Sequence, residues 1–96
     1  MNMQMLMQQA NKMKKDMEKA QEEVEQMTFS SSQPLVDVKM NGKKEVLNIE
    51  INKDITTEDI EVLQDMILIA FNDCIKQADK AMNDKLGKYG SIPGLF

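Results

Sequence analysis

The sequence predicts an α+β domain in which a long N-terminal helix and a long C-terminal helix flank a small antiparallel sheet. The first helix is predicted from a stripe of apolar residues that alternates intervals of three and four. The stripe consists of Met3, Leu6, Ala10, Met13, Met17, Ala20, Val24 and Met27. The sheet is predicted from two runs of alternating apolar and polar residues around Asn41-Gly42. The second helix is predicted from a further apolar stripe that ends at Gly87.

The first helix should cover about residues 2–27, because neither Gly nor Pro interrupts a run of good helix formers. At about 1.5 Å per residue it would be roughly 37 Å long, which exceeds the width of a domain of 96 residues. Part of its stripe should therefore pack on a partner, and a second copy of the chain is the expected one. Residues 17–27 should pack the core and the dimer, whereas the earlier half should project as an arm.

The middle of the chain predicts a meander of two or three antiparallel strands. Residues 28–30 can form a short strand, and residues 31–34 consist of turn formers. Residues 36–40 alternate as a half-buried strand does. Asn41-Gly42 then predicts a type I′ turn, because both residues tolerate positive φ, and residues 46–51 form the return strand.

The second helix should begin at a capping box formed by Thr56 and Asp59 and should run to Leu86. Its stripe consists of Ile60, Leu63, Ile67, Ala70, Cys74, Ala78 and Ala81. Residues 66–71 are apolar on all sides, so we expect this segment to be buried on more than one side. One side can meet the sheet, and the other needs the first helix or a second subunit.

The composition indicates one domain, residues 1–86, followed by a Gly- and Pro-containing tail, residues 87–96. The chain has neither His nor Arg, so it lacks an imidazole for metal binding or proton transfer. Cys74 lies on an apolar stripe without a His to activate it, and we interpret it as a buried structural thiol. We expect no catalytic site, no metal, no cofactor and no small-molecule substrate.

A lone cysteine excludes a disulfide framework and suits a reducing cytoplasm. The start of the chain is amphipathic and not continuously apolar, so we expect no signal peptide. The longest apolar run, residues 66–71, is far too short to cross a bilayer. The expected location is therefore the cytoplasm, without a membrane partner.

Four stretches of the sequence, taken in order, resemble the YbaB/EbfC family of bacterial nucleoid-associated proteins. They are residues 5–13 with Met17 and residues 21–24, then residues 35–42, residues 70–74 and the tail residues 92–96. The resemblance implies an αβββα fold, a tight homodimer with a tweezer-like outline, and DNA binding in the nucleoid with little sequence preference.

Lysines are the candidate DNA contacts, although the net charge is −4. Along the first helix four lysines precede three glutamates, the reverse of the order that the helix dipole favours. This order is consistent with a use for the lysines, but also with an ordinary solvated face. The candidates are Lys12, Lys14, Lys15, Lys19, Lys43, Lys44, Lys76, Lys80, Lys85 and Lys88.

The dimer interface is predicted on the two helices. Its candidate residues are Met13, Met17, Ala20, Val24, Ile67 and Phe71. An alternative function uses the same Met-rich surface in a small dimeric adaptor that captures an apolar helix of a protein partner, since flexible methionines suit such surfaces. The acidic net charge and the missing Arg favour the adaptor, and the resemblance favours DNA.

Overall fold

A computed structural model describes residues 2–89. The helices are α1 (Met3–Glu25) and α2 (Ile60–Leu86), and the strands are β1 (Thr28–Gln33), β2 (Val36–Asn41) and β3 (Val46–Ile51). Short 3-10 turns, Thr57–Asp59 and Gly87–Tyr89, flank α2. The strands form one antiparallel sheet in the order β1-β2-β3. This αβββα arrangement confirms the predicted fold class, with three strands in the meander. Residues 90–96, most of the predicted tail, lie outside the described residues.

The apolar stripe of α1 is covered over only part of its length. Asn2 caps the helix by accepting a hydrogen bond from the backbone of its first turn. Met17, Ala20 and Val24 are buried, whereas every residue from 2 to 16 is exposed. The molecule is accordingly elongated, at 70 × 19 × 15 Å. We call residues 2–16 the arm.

β1 is longer than the sequence predicted, because residues 31–33, expected in a turn, continue the strand. Pro34 and Leu35 alone form the turn to β2. Ser31 pairs with Val38 and is only 4% exposed. Pairing with the central strand and burial on the sheet therefore outweigh the turn preference of serine.

The β2–β3 hairpin occurs where it was predicted, but the type I′ assignment of its turn is wrong. Asn41 does not have a positive φ, and the left-handed residue is Lys44, with φ 66°. The backbone N–H of Lys44 donates to the carbonyl of Asn41 at 3.0 Å. Gly42 serves close packing instead, because a Cβ there would lie 1.8 Å from the carbonyl oxygen of Val24. The C-terminal end of α1 therefore rests directly on this turn.

The main core lies between α2 and the first two strands. It contains Val36, Val38, Met40, Leu63, Ala70 and Cys74. The side-chain amide of Gln77 donates to the carbonyl of Ser30 at 2.9 Å and fixes α2 to β1. A second cluster joins α1 to the end of α2 through Met17, Ala20, Leu86, Met82 and Tyr89.

The ends of α2 follow the sequence closely. The carboxylate of Asp59 accepts from the backbone N–H of Thr56 at 2.8 Å, which confirms the capping box. The helix ends at Leu86, and Gly87 keeps right-handed helical angles there. None of the described helices combines the length and the apolar character that a bilayer crossing requires.

One side of the segment 66–71 is open in the single chain, so α1 does not supply the second of the two predicted covers. Leu68 and Ile69 are 63% and 54% exposed, because α1 reaches only the last turns of α2. Every residue of β3 is exposed as well. We use the name open apolar face for four of these exposed residues, Leu47 and Ile49 of β3 and Leu68 and Ile69 of α2.

Candidate nucleic-acid interface

Charge is distributed unevenly along the molecule. The arm carries Lys12, Lys14 and Lys15, and Asp16 at its end is its one acidic residue. Residues 46–70, which form β3 and the first half of α2, contain one lysine and six acidic residues, a net charge of −5. A polyanion is therefore attracted to the α1 end and repelled from the other.

The lysines of α1 divide between two sides of the helix. Because a helix turns by about 100° per residue, Lys12, Lys15 and Lys19 lie on one side and Lys14 on the opposite side. All four are exposed. The three aligned lysines lie about 150° around the helix from the centre of the apolar stripe, so their ammonium groups can point to solvent while the stripe packs.

Lys19 meets two lysines from the end of α2. A cleft of about 240 Å³ between the helices is lined by Lys19, Lys85 and Lys88, together with Asp16, Glu23, Ala20 and Tyr89. The ammonium group of Lys88 lies 5.1 Å from the centre of the Tyr89 ring. The antiparallel packing of α1 and α2 thus brings together lysines that are more than sixty residues apart in the chain.

Two candidate lysines are held in ion pairs. Lys85 lies 3.1 Å from Glu23, and Lys44 lies 2.6 Å from Asp79, with each side chain about half exposed. Such half-exposed pairs contribute little to stability, but each carboxylate offsets a charge that a phosphate would otherwise meet. We therefore rank these two lysines below Lys12, Lys15, Lys19 and Lys88.

The other candidates lie apart from the cleft between the helices. Lys43 and Lys44 border a separate depression with Gln21 and Glu25, which lie on the side of α1 away from Lys19 by helical geometry. Lys76 and Lys80 are exposed one turn apart on α2. The ten predicted lysines therefore do not form a single patch.

The predicted dimer residues have mixed surroundings. Met17, Ala20 and Val24 are already buried within one chain, and Met13 is 47% exposed. Ile67 and Phe71 are partly buried against the sheet core. The predicted interface residues do not include Leu47, Ile49, Leu68 and Ile69 of the open apolar face. Two sequence features indicate these four residues, namely the run in α2 that is apolar on all sides and the alternation of apolar and polar residues in β3.

Cys74 is buried, as predicted. Its sulfur lies 3.8 Å from the carbonyl oxygen of Val38 and 3.9 Å from that of Phe29. Burial raises the pKa of this thiol, and the neighbouring Asp73 carboxylate raises it further. The thiol is therefore protonated at neutral pH and is a poor nucleophile. Within residues 2–89, no three His, Cys, Asp or Glu side chains come together as a metal site would need.

Comparison with known proteins identifies the family. The model of the YbaB/EbfC DNA-binding family matches residues 1–91. The chain belongs to this family. A nucleoid-associated protein of Ruminiclostridium cellulolyticum is 40% identical, with 99% of this chain and 89% of that protein covered. A nucleoid-associated protein of Lactococcus lactis subsp. cremoris is 45% identical, with 93% of each chain covered.

The fold also matches a crystal structure of an uncharacterized protein from Helicobacter pylori. The TM-score is 0.78 at 22% identity, and the match covers 95% of this chain and 99% of that one. At this identity the likeness shows the fold alone.

Two of the four sequence stretches that resemble the YbaB/EbfC family lie at positions that matter for the packing of this chain. Residues 35–42 contain β2 and the close contact at Gly42. Residues 70–74 lie on α2, and Ala70 and Cys74 among them belong to the main core. The fourth stretch, residues 92–96, lies outside the described residues.

Proposed function

We propose that the chain is a nucleoid-associated DNA-binding protein that acts as a homodimer and contacts DNA phosphates through lysines with little sequence specificity. Membership of a DNA-binding family and the names of the relatives support DNA as the partner. The observation that carries the proposal is the placement of Lys12, Lys15, Lys19 and Lys88 at the α1 end, with the acidic segment at the other.

The residue types favour contacts to phosphates over contacts to bases. The chain has no arginine, the residue that most often reads guanine through a bidentate contact. A lysine ammonium is a compact point charge that meets phosphate oxygens without a fixed geometry. Phosphate contacts position a protein on DNA but carry no sequence information directly. Low sequence specificity follows from this composition.

The salt dependence of DNA binding tests this proposal. Each phosphate that a lysine neutralises releases condensed counterions. With about six such phosphates per dimer, the affinity for duplex DNA should fall roughly a thousand-fold between about 50 and 200 mM salt. The measurement is a fluorescence titration of labelled duplexes of two unrelated sequences. Affinity that does not change with salt, or that differs strongly between the two sequences, would contradict the proposal.

The dimer is proposed to form through the open apolar face. A domain of this size gains stability from oligomerisation, and exposed apolar side chains such as Leu68 and Ile69 are typical of an interface. Two copies would also double the number of lysines that one DNA molecule meets. In this arrangement α1 stays outside the interface, with its arm directed away from it.

Substitution of Leu68 by Lys should convert the dimer into folded monomers. Leu68 is largely exposed in the single chain, so the substitution leaves the chain's own core intact while it places two charges in the interface. Sedimentation measures the mass, and circular dichroism checks the fold. Met5→Lys is the matched control, because Met5 is similarly exposed but lies on the arm. If Met13→Lys dissociates the dimer and Leu68→Lys does not, the interface lies on α1.

A further inference from the structure

The apolar stripe of α1 continues uncovered along the arm. Leu86 of the chain itself packs on the stripe at Met17 and Ala20. An uncovered helix of this length is marginal in water, so the arm gains stability when the stripe is covered. The uncovered part consists of Met3, Leu6, Ala10 and Met13, all exposed on the same side of the helix.

The spacing of the uncovered residues is that of a helix that pairs with another helix. In a heptad repeat Met3 and Ala10 occupy position a, and Leu6 and Met13 occupy position d. When two such helices pair antiparallel, each a residue faces a d residue of the other copy. Leu6 then faces Ala10 in both central layers, so a large side chain meets a small one. A parallel pair would place Ala10 against Ala10 and leave a gap.

Charge favours the same antiparallel arrangement. Residues 3–11 contain no charged side chain, and the first lysine of the arm is Lys12. A pair centred on Gln8 sets this neutral segment against residues 5–13 of the other copy. The two Lys14 side chains then lie about 18 Å apart along the axis, beyond the Debye length of about 8 Å at physiological salt. A parallel pair would bring the lysines of both copies together at one end.

The antiparallel pair also fits the length of the uncovered stripe. With the pair centred on Gln8, Met3 of one copy faces Met13 of the other. Met13 lies one turn before Met17, where the chain's own cover begins. The second copy therefore covers the exposed stripe without displacing Leu86.

We propose that residues 3–13 of two homodimers pair antiparallel, so that the occupant of the arm stripe is a second copy of the same chain. The overlap covers about three turns of helix, which places it among the small interfaces of weak, transient contacts. The proposed DNA binding would strengthen it, because dimers held on one DNA molecule meet at a raised effective concentration. That effect rests on the proposed function, whereas the pairing itself does not. Lys12, Lys15 and Lys19 lie about 150° around the helix from the stripe, so pairing leaves them exposed.

A crosslink between arms tests the pairing in the full chain without DNA. In a Cys74→Ala background, Gln9→Cys places a thiol beside the stripe and near the centre of the pair. Gln8→Cys is the matched control, because it replaces the same residue type at an exposed position on the opposite side of the helix. At high protein concentration a short bismaleimide should give about ten times more two-chain product with Gln9→Cys than with Gln8→Cys. Equal yields would overturn the proposal.

Sedimentation of the crosslinked Gln9→Cys protein at low concentration shows whether the joined arms come from different dimers. The crosslinked protein should have at least twice the mass of the same protein without crosslinker. An unchanged mass would place both arms in one dimer and would overturn the proposal. If the protein without crosslinker is a monomer, the proposed dimer is wrong, but a doubled mass would still support the arm pair.

Substitutions in the stripe test the antiparallel register. Leu6→Lys, added to the Gln9→Cys protein, should lower the crosslink yield about ten-fold, because it places a charge in each central layer. Met5→Lys should keep the yield, since Met5 is similarly exposed but lies about 120° around the helix from the stripe. Adding Ala10→Glu to Leu6→Lys should restore the yield, because each lysine then faces a glutamate of the other copy. An unchanged yield with Leu6→Lys, or no recovery with Ala10→Glu, would contradict this register and overturn the proposal.

Discussion

Replacing Lys15 and Lys19 together by Gln should lower the affinity for duplex DNA at physiological salt by roughly thirty-fold or more. Both side chains are exposed on the same side of α1, and Lys19 shares its cleft with Lys85 and Lys88. The substitution removes four positive charges from the proposed interface of a homodimer. The slope of log affinity against log salt should also decrease by about one for each phosphate that is no longer neutralised.

Lys39→Gln with Lys53→Gln is the matched control, because it changes the net charge by the same amount. Lys39 lies on β2 and Lys53 lies just after β3, within the acidic part of the molecule. This variant should change the affinity by only a few-fold, through the overall charge, and should keep the salt slope. Equal decreases in affinity for the two variants would mean that net charge alone governs binding. The lysines of α1 would then have no special role.

The helices and the central strand could be predicted from the sequence because their patterns are local. Alternating intervals of three and four residues predicted α1 to within about two residues at each end. The alternation of Val36, Val38 and Met40 predicted β2, and all three are buried. Thr56 and Asp59 predicted the start of α2. In each case, the sequence pattern and the helix or strand that it predicts lie in the same short segment of the chain.

What the sequence did not predict depends on packing between distant segments. Ser31 is in a strand because Val38 pairs with it, which its own preference for turns does not reveal. Gly42 marks the approach of Val24 and not a type I′ turn. The offset of Lys44 and Lys85 by acidic partners depends on how α1, α2 and the hairpin pack. Composition and local pattern therefore predict the helices and strands. Which candidate lysines have an acidic partner can be seen only from the tertiary packing.

Substitution of Gly42 by Ala should destabilise the fold by about 3 kcal/mol or more. The added methyl group would lie 1.8 Å from the carbonyl oxygen of Val24 and 2.8 Å from the Cα of Glu25. Both of these are backbone atoms, so no side-chain rotation relieves the overlap. Either the end of α1 or the hairpin turn must shift, and the hydrogen bond from the Gly42 N–H to the Met27 carbonyl, now 3.1 Å, would lengthen.

Gly87→Ala is the control, because a Cβ at Gly87 meets no atom within 4 Å and the residue already has helical angles. This change should stabilise the fold by about 0.4–1 kcal/mol, since it reduces the freedom of the unfolded chain. The two variants should be compared by urea unfolding at one protein concentration, because dimerisation makes the apparent stability depend on concentration. If Gly42→Ala unfolds at the same urea concentration as the parent, the end of α1 does not rest on the hairpin turn. In that case the packing that orients α1 relative to the sheet must be that of Met17 and Ala20 on Leu86.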